Sequence, residues 1–317
     1  MPSIRLLALA PIILASASSC ARPGEFAAAE LVSTGDFKAN YSGAAERGSI
    51  YQAGSIAKYA CTLLALRYSD RGLLELERPL GSFFPELDLG EAKTPTISQL
   101  LANRSGLRDG LLPAVEADMT RVMAIRSADK ALMEFSSGDL KYPAGGEYSY
   151  DLVNWMAIQA VLERVGGDTI EQLLTREVLE PAGMTQSFVF DKTLGAEAQP
   201  PVGDAQPMPD FLKCAGGLAA VPNDLVRLLR FAHKGGLSAQ SVQELKTIRT
   251  PEENYSLGGR FETHAGRLID WKTGSNGPYK SVVVYDPVTD TGFAAMTASD
   301  TWDRIEEARE EWLSRLE

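Results

Sequence analysis

Ser55 and Lys58 stand three residues apart at the start of a predicted helix. Their side chains therefore share one face, and the serine sits where free backbone N–H groups gather. A serine hydroxyl is a poor nucleophile until a base takes its proton, and a lysine serves as that base only when burial or a second cation lowers its pKa. Lys272 offers the second cation, in Lys272-Thr273-Gly274-Ser275 at the end of a predicted strand beside a turn. Ser-x-x-Lys by itself arises by chance about once in a chain of this length, and its plain alternative is a capping serine with a solvated lysine. Joined to Lys-Thr-Gly in this order, it points to acyl transfer through a serine.

A strand carrying Lys272, Thr273, Gly274 and Ser275 beside the nucleophile is the expected substrate-binding wall, and three of the four have a task of their own. Lys272 is a cation for an acidic substrate, Thr273 a hydrogen-bond donor, and the backbone N–H of Ser275 faces that of Ser55 to form an oxyanion hole. The proton carrier to the leaving group is expected to be Tyr150, in Gly145-Gly146-Glu147-Tyr148-Ser149-Tyr150. A phenol, with a pKa of about 10, acts as a base only in the field of flanking lysines. The chain holds two histidines, His233 and His264, neither in a nucleophile-elbow context, and no Gly-x-Ser-x-Gly is present. His233 precedes Gly235-Gly236 and is expected to cap a helix end. Neither histidine belongs to a His-x-x-x-His or Cys-x-x-Cys cluster, so no metal and no other cofactor is expected.

These residues need elements to hold them. The 317 residues, 44% hydrophobic and 23% charged, suffice for one large core or a core shared by two lobes. A net charge of −11 argues against nucleic acid as a partner. Short β-forming segments from Leu31 to Ala53, broken by Gly35, Gly43 and Gly48, predict a strand pair leading into Gly54-Ser55. From Ile56 through Leu73, Tyr59, Leu63, Leu64, Leu66 and Tyr68 come at helical spacing. The middle predicts helices over Thr96–Leu101, Ala114–Phe135, Leu152–Arg164, Ile170–Leu179 and Asn223–Ala232. After Pro251 the pattern turns to strands at Tyr255–Thr263, Gly266–Trp271, Lys280–Asp286 and Gly292–Ala298, with antiparallel pairing expected. The last stretch, Trp302–Leu316, aligns Ile305, Ala308, Trp312 and Leu316 in a stripe suited to lie on a sheet.

The fold class expected is α/β (α+β), an antiparallel sheet flanked by helices with an all-α lobe inserted in sequence. The catalytic domain spans 21–317, with an α/β lobe at about 27–60 and 245–317 and a helical lobe at about 61–244. The cleft between the lobes is the expected site.

Residues 1–20 read as a secretory signal: Arg5, then an apolar run from Leu6 to Ala17, too short to span a membrane. Ala15-Ser16-Ala17 is a cleavage pattern, whereas Ala17-Ser18-Ser19-Cys20 resembles a bacterial lipobox. Both outcomes stand open: plain cleavage, or lipidation of Cys20 and membrane attachment. Export to a bacterial periplasm or envelope follows in either case. Cys61 and Cys214 then lie in an oxidising compartment. Cys61 sits in an apolar helical stretch and is expected to be a small buried hydrophobe rather than half of a disulfide.

Several ordered blocks resemble the class C β-lactamase superfamily, with its penicillin-binding DD-peptidase and esterase relatives, over roughly residues 30–300. They are Gln52-Ala53-Gly54-Ser55-Ile56-Ala57-Lys58, Gly72-Leu73-Leu74-Glu75-Leu76, Phe84-Pro85-Glu86-Leu87, Thr96-Ile97-Ser98-Gln99-Leu100-Leu101 and Ser105-Gly106-Leu107. Pro181-Ala182-Gly183-Met184, Ala215-Gly216-Gly217-Leu218 and Trp271-Lys272-Thr273-Gly274-Ser275 follow. The resemblance implies a serine hydrolase, with Ser55 acylated, Lys58 its partner, Tyr150 the proton carrier and Lys272 the cation for a substrate carboxylate. It also implies a small-molecule or peptidoglycan-type substrate. Two blocks depart from the family pattern. Its Tyr-x-Asn reads Tyr150-Asp151-Leu152, which weakens the lactam and peptide readings, and its His-Thr-Ser-Gly reads Asn103-Arg104-Ser105-Gly106. The leading function is hydrolysis of an amide, lactam or ester through an acyl-enzyme. The alternatives are a carboxylesterase of the same fold and an envelope protein that binds penicillin without turnover.

Overall fold

Strand-forming sequence concentrates at the two ends of the chain, and the computed structural model, which describes residues 25–190, 207–299 and 301–316, joins those ends in one sheet. The strands are β1 (Phe26–Leu31), β2 (Phe37–Ser42), β3 (Tyr51–Gln52), β4 (Phe188–Val189), β5 (Leu218–Ala220), β6 (Arg260–His264), β7 (Arg267–Asn276), β8 (Tyr279–Asp286) and β9 (Thr291–Ala298). The main sheet runs β2-β1-β9-β8-β7-β6, antiparallel throughout, and β3-β5-β4 form a small second sheet. The predicted leader and Cys20 lie outside the described residues.

The helices are α1 (Ile56–Asp70), α2 (Ile97–Leu101), α3 (Leu111–Ala124), α4 (Ala128–Ser136), α5 (Leu152–Gly166), α6 (Ile170–Leu174), α7 (Lys213–Gly216), α8 (Pro222–Phe231), α9 (Ala239–Lys246) and α10 (Asp303–Ser314). Among the described residues no helix is long and apolar enough to cross a membrane.

Two-residue alternation along the strands supplies both faces of the sheet. Val282 and Val284 of β8, with Phe293 and Ala295 of β9, pack on Ile305, Trp312 and Leu313 of α10, as the terminal stripe predicts. Val283 and Ala294 point the other way, into the core shared with α1, α5 and α8. The helix α1 is buried nearly all round, from Ile56 to Leu66, which explains why its apolar residues do not keep to one stripe. It is the central rod of the molecule, and its first turn carries Ser55 and Lys58.

Three expectations are corrected. The helix predicted over Ala114–Phe135 is two, α3 and α4, because the chain is extended at Ile125 and Ser127. Asp118 inside α3 also leaves helical geometry, with its side chain accepting the Arg121 N–H at 2.9 Å; a short acidic side chain competes here with the backbone ladder. The strand predicted from Tyr255 begins only at Arg260, since Tyr255 pairs with Thr250 and Gly258 (φ +67°) turns the chain. Cys61 is a disulfide partner after all: α1 and α7 pack side by side and bring the Cα atoms of Cys61 and Cys214 to 5.7 Å. Periodicity reads the burial of Cys61 but not which helix lies opposite.

Candidate active site

The nucleophile turn and β7 cross so closely that two glycines are required. A Cβ on Gly274 would fall 1.9 Å from the carbonyl oxygen of Ala53, and one on Gly54, already at φ +53°, would fall 2.5 Å from the backbone nitrogen of Ser275. Both contacts lie far inside van der Waals distance, so Gly54-Ser55 and Gly274-Ser275 sit together only without those methyl groups. Ser281 Oγ ties the crossing by donating to the Ala53 carbonyl at 3.0 Å. The Ser275 backbone thus lies against the residue preceding Ser55, with its side chain exposed.

Ser55 occupies the cap position of α1 and makes no capping bond with its side chain. Its Oγ instead accepts from Lys58 Nζ at 3.0 Å. Lys58 is only 1% exposed and also donates to the carbonyl oxygen of Ala215, at 2.6 Å. Burial lowers its pKa below the ordinary lysine value, and the adjoining Tyr150 opposes that shift. The ring centroid of Tyr150 is 5.0 Å from Lys58 Nζ. Ser55, Lys58 and Tyr150 therefore converge as the sequence predicts.

The loop bearing Tyr150 is held from below by a polar cluster. Ser149 N–H donates to the Asn103 carbonyl at 2.8 Å, and Asn154 Nδ2 donates to the carbonyls of Ser149 and Asp151 at 3.3 and 3.2 Å. Asn103, at φ +55°, tolerates the left-handed conformation better than most residues and presents its Oδ1 to the indole N–H of Trp155 at 3.0 Å. The departing block at Asn103-Arg104-Ser105-Gly106 is thus structural. Arg104 spends its guanidinium on the carbonyls of Gly145, Gly146 and Arg249.

Ser55, Tyr150, Lys272 and Thr273 line one cleft with Tyr255, Gly258, Gly259, Arg260 and Trp271. Lys272, however, is not the free cation expected. Its Nζ is ion-paired with Asp270, donates to the Arg260 carbonyl at 3.1 Å, and faces the rings of Tyr59 and Phe261 at 4.4 and 4.6 Å. Asp270 lies two residues earlier on β7, on the same face, and is fully buried. It also accepts from Tyr59 Oη and from His233 Nε2, each at 2.8 Å. Burial alone would push the Asp270 carboxyl up, but Lys272 and His233 outweigh it and hold the group below its ordinary value. His233 is accordingly no helix cap: it stacks on Tyr285 and serves the buried carboxylate.

Sequence reasoning missed Asp270, Tyr59, Asn154 and the Ala215 carbonyl. Alternation along β7 puts Asp270 on the Lys272 face, and an asparagine inside the apolar run of α5 is a signal of its own. A backbone carbonyl such as that of Ala215 leaves no trace in residue types. Among the described residues no cluster of three His, Cys, Asp or Glu is placed to hold a metal ion.

The chain is similar to a D-aminopeptidase of Cereibacter sphaeroides, 27% identical over 168 residues that cover 50% of this chain and 31% of that protein. It thus spans about a third of that relative's length. It is similar to penicillin-binding protein 4 of Amycolatopsis lactamdurans, 22% identical over 275 residues, covering 75% of this chain and 69% of that one. In fold it matches a D-stereospecific amidohydrolase from Streptomyces sp. with a TM-score of 0.75 at 18% identity, over 89% of this chain and 91% of that one. The β-lactamase family model matches residues 27–315, and with the sheet, the helices and the Ser55 turn in place the chain belongs to the β-lactamase family of serine hydrolases.

Proposed function

We propose that the chain hydrolyses an ester or amide through an acyl-enzyme on Ser55, with Lys58 as base and Tyr150 as proton carrier. The observation that carries this reading is the 3.0 Å contact between Lys58 Nζ and Ser55 Oγ in a buried setting that lowers the lysine pKa. As Ser55 Oγ bonds to the carbonyl carbon, its proton passes to Lys58 Nζ. The charge that gathers on the carbonyl oxygen is met by the backbone N–H groups of Ser55 and Ser275. When the bond to the leaving group breaks, Tyr150 passes a proton to the departing nitrogen or oxygen and is resupplied by Lys58. Water then adds to the acyl-Ser55 ester, losing a proton to the same pair, and the acid leaves as Ser55 regains its hydrogen.

Thr273 lines the cleft next to these groups and is proposed to hydrogen-bond the substrate. Leu152 stands where the family's Tyr-x-Asn pattern has its asparagine, which favours an ester or a simple amide over an acylamido lactam. The Cys61–Cys214 bridge supports action outside the cytoplasm, in keeping with the leader-like first residues.

Purified protein incubated with p-nitrophenyl esters, amino-acid amides and a chromogenic cephalosporin tests the reading. Turnover of an ester or amide with a transient acyl adduct by intact-mass spectrometry, both lost in Ser55→Ala, is the expected result. An adduct that persists for hours marks a sensor without turnover, and no adduct with any acyl donor or with a fluorophosphonate overturns the assignment of Ser55.

A further inference from the structure

We propose that Asp270 sets specificity by occupying Lys272, so that the cleft takes acyl donors with no carboxylate beside the scissile bond. This rests on the acyl-hydrolase reading of Ser55 and concerns which substrates that site accepts.

Lys272 is the cation that Lys-Thr-Gly would present to an acidic substrate, yet its ammonium already has a carboxylate, a carbonyl and two rings around it. One N–H is spent on Asp270 and one on the Arg260 carbonyl, and the rings of Tyr59 and Phe261 cover it. Residue 272 is 4% exposed. Its stem runs behind Gly259, where an added Cβ would come within 2.1 Å of Cδ and 2.8 Å of Nζ. The lysine thus lies pressed against the Gly259 backbone at the cleft wall, with its charge turned to Asp270. Asp270 is not free to swing away, because Tyr59 and His233 hold one of its oxygens while Lys272 takes the other. A carboxylate approaching Lys272 therefore meets a pair of opposite charges instead of a lone cation. The other cation of the cleft wall, Arg260, is ion-paired with Glu253 at 3.1 Å. An ionised partner already at hydrogen-bond distance leaves little attraction for a second anion.

The test uses two leaving groups that differ only in charge, 3-hydroxybenzoate and 3-hydroxybenzamide, as esters of one N-acylglycine. Wild type should hydrolyse both with similar kcat/KM, within about threefold, whereas Asp270→Asn should raise the carboxylate-to-carboxamide ratio by about tenfold or more. The double variant Asp270→Asn with Lys272→Gln should return the ratio to that of wild type, a reversal that a merely structural role for Asp270 would not give. Calorimetric binding of the two free phenols to Ser55→Ala reads the same ratio without turnover. If neither ester is hydrolysed, the acyl-hydrolase reading fails while the binding ratio still decides the role of Asp270. A wild-type preference for the carboxylate of about tenfold overturns the proposal, as does an unmoved ratio in Asp270→Asn. Should Asp270→Asn not fold, the wild-type and Ser55→Ala ratios decide it.

Discussion

The ammonium nitrogen of Lys58 lies 2.6 Å from the carbonyl oxygen of Ala215, so α7 fixes the head of the lysine that touches Ser55. The contact also tempers a cost, since the buried lysine head gives up its hydration and recovers only part of it from one carbonyl and one hydroxyl. Burial lowers the pKa of Lys58, and stability bears the cost of that burial.

Replacing Lys58 by Met should therefore separate activity from stability. Turnover is expected to fall by roughly 10²- to 10⁴-fold, the usual range for a lost acid–base group, while Tm holds or rises. The acid limb of the wild-type kcat/KM profile should have its midpoint below the 10.5 of an ordinary lysine, because burial lowers the Lys58 pKa. Loss of Tm together with activity would show that Lys58 is structural.

The disulfide stands next to this contact: Cys214 precedes Ala215, and Cys61 lies three residues beyond Lys58 on α1. Replacing both cysteines by Ala should lower stability to urea by about 2–5 kcal/mol. Turnover should fall as well, with KM little changed, because the Ala215 carbonyl loses its anchor. An unaltered urea midpoint would contradict this account.

Much of the fold was legible from period alone. Alternating residues in β8 and β9 and the stripe on α10 predict a sheet with a helix on one face, and the structure has that arrangement. The convergence of Ser55, Lys58 and Tyr150 was legible because three separate blocks carry it. What escaped was pairing across space. Cys61 with Cys214, His233 with Asp270 and Lys58 with the Ala215 carbonyl all join residues distant in sequence, and residue types do not encode which partner a buried group meets. The pairing of Lys272 with Asp270 escaped differently: it joins residues two apart on one strand face, so alternation holds it, but the motif alone does not include Asp270.

Asn154 ties the Tyr150 loop to α5 through the carbonyls on either side of the tyrosine and accepts from Ser105 Oγ. In Asn154→Leu those partners would be left buried without bonds, at a cost of about 1–3 kcal/mol. Ester turnover should drop more than KM rises, since the change frees the loop rather than the cleft wall. Full activity in a destabilised variant would show that Tyr150 needs no such anchoring.

Asp270 gives a signature in acid. Its carboxyl is held below the ordinary value of 3.8 in the folded protein, so between the folded and unfolded values the unfolded chain binds more protons. The stabilisation is present in full above that ordinary value and is lost as pH falls through the folded value. The urea midpoint of wild type should exceed that of Asp270→Asn by a wider margin at about pH 7 than at about pH 3, because the amide cannot titrate. His233 shares the carboxylate with Lys272 and Tyr59, so a wider margin in acid than at neutrality would mean that the cluster holds a protonated Asp270.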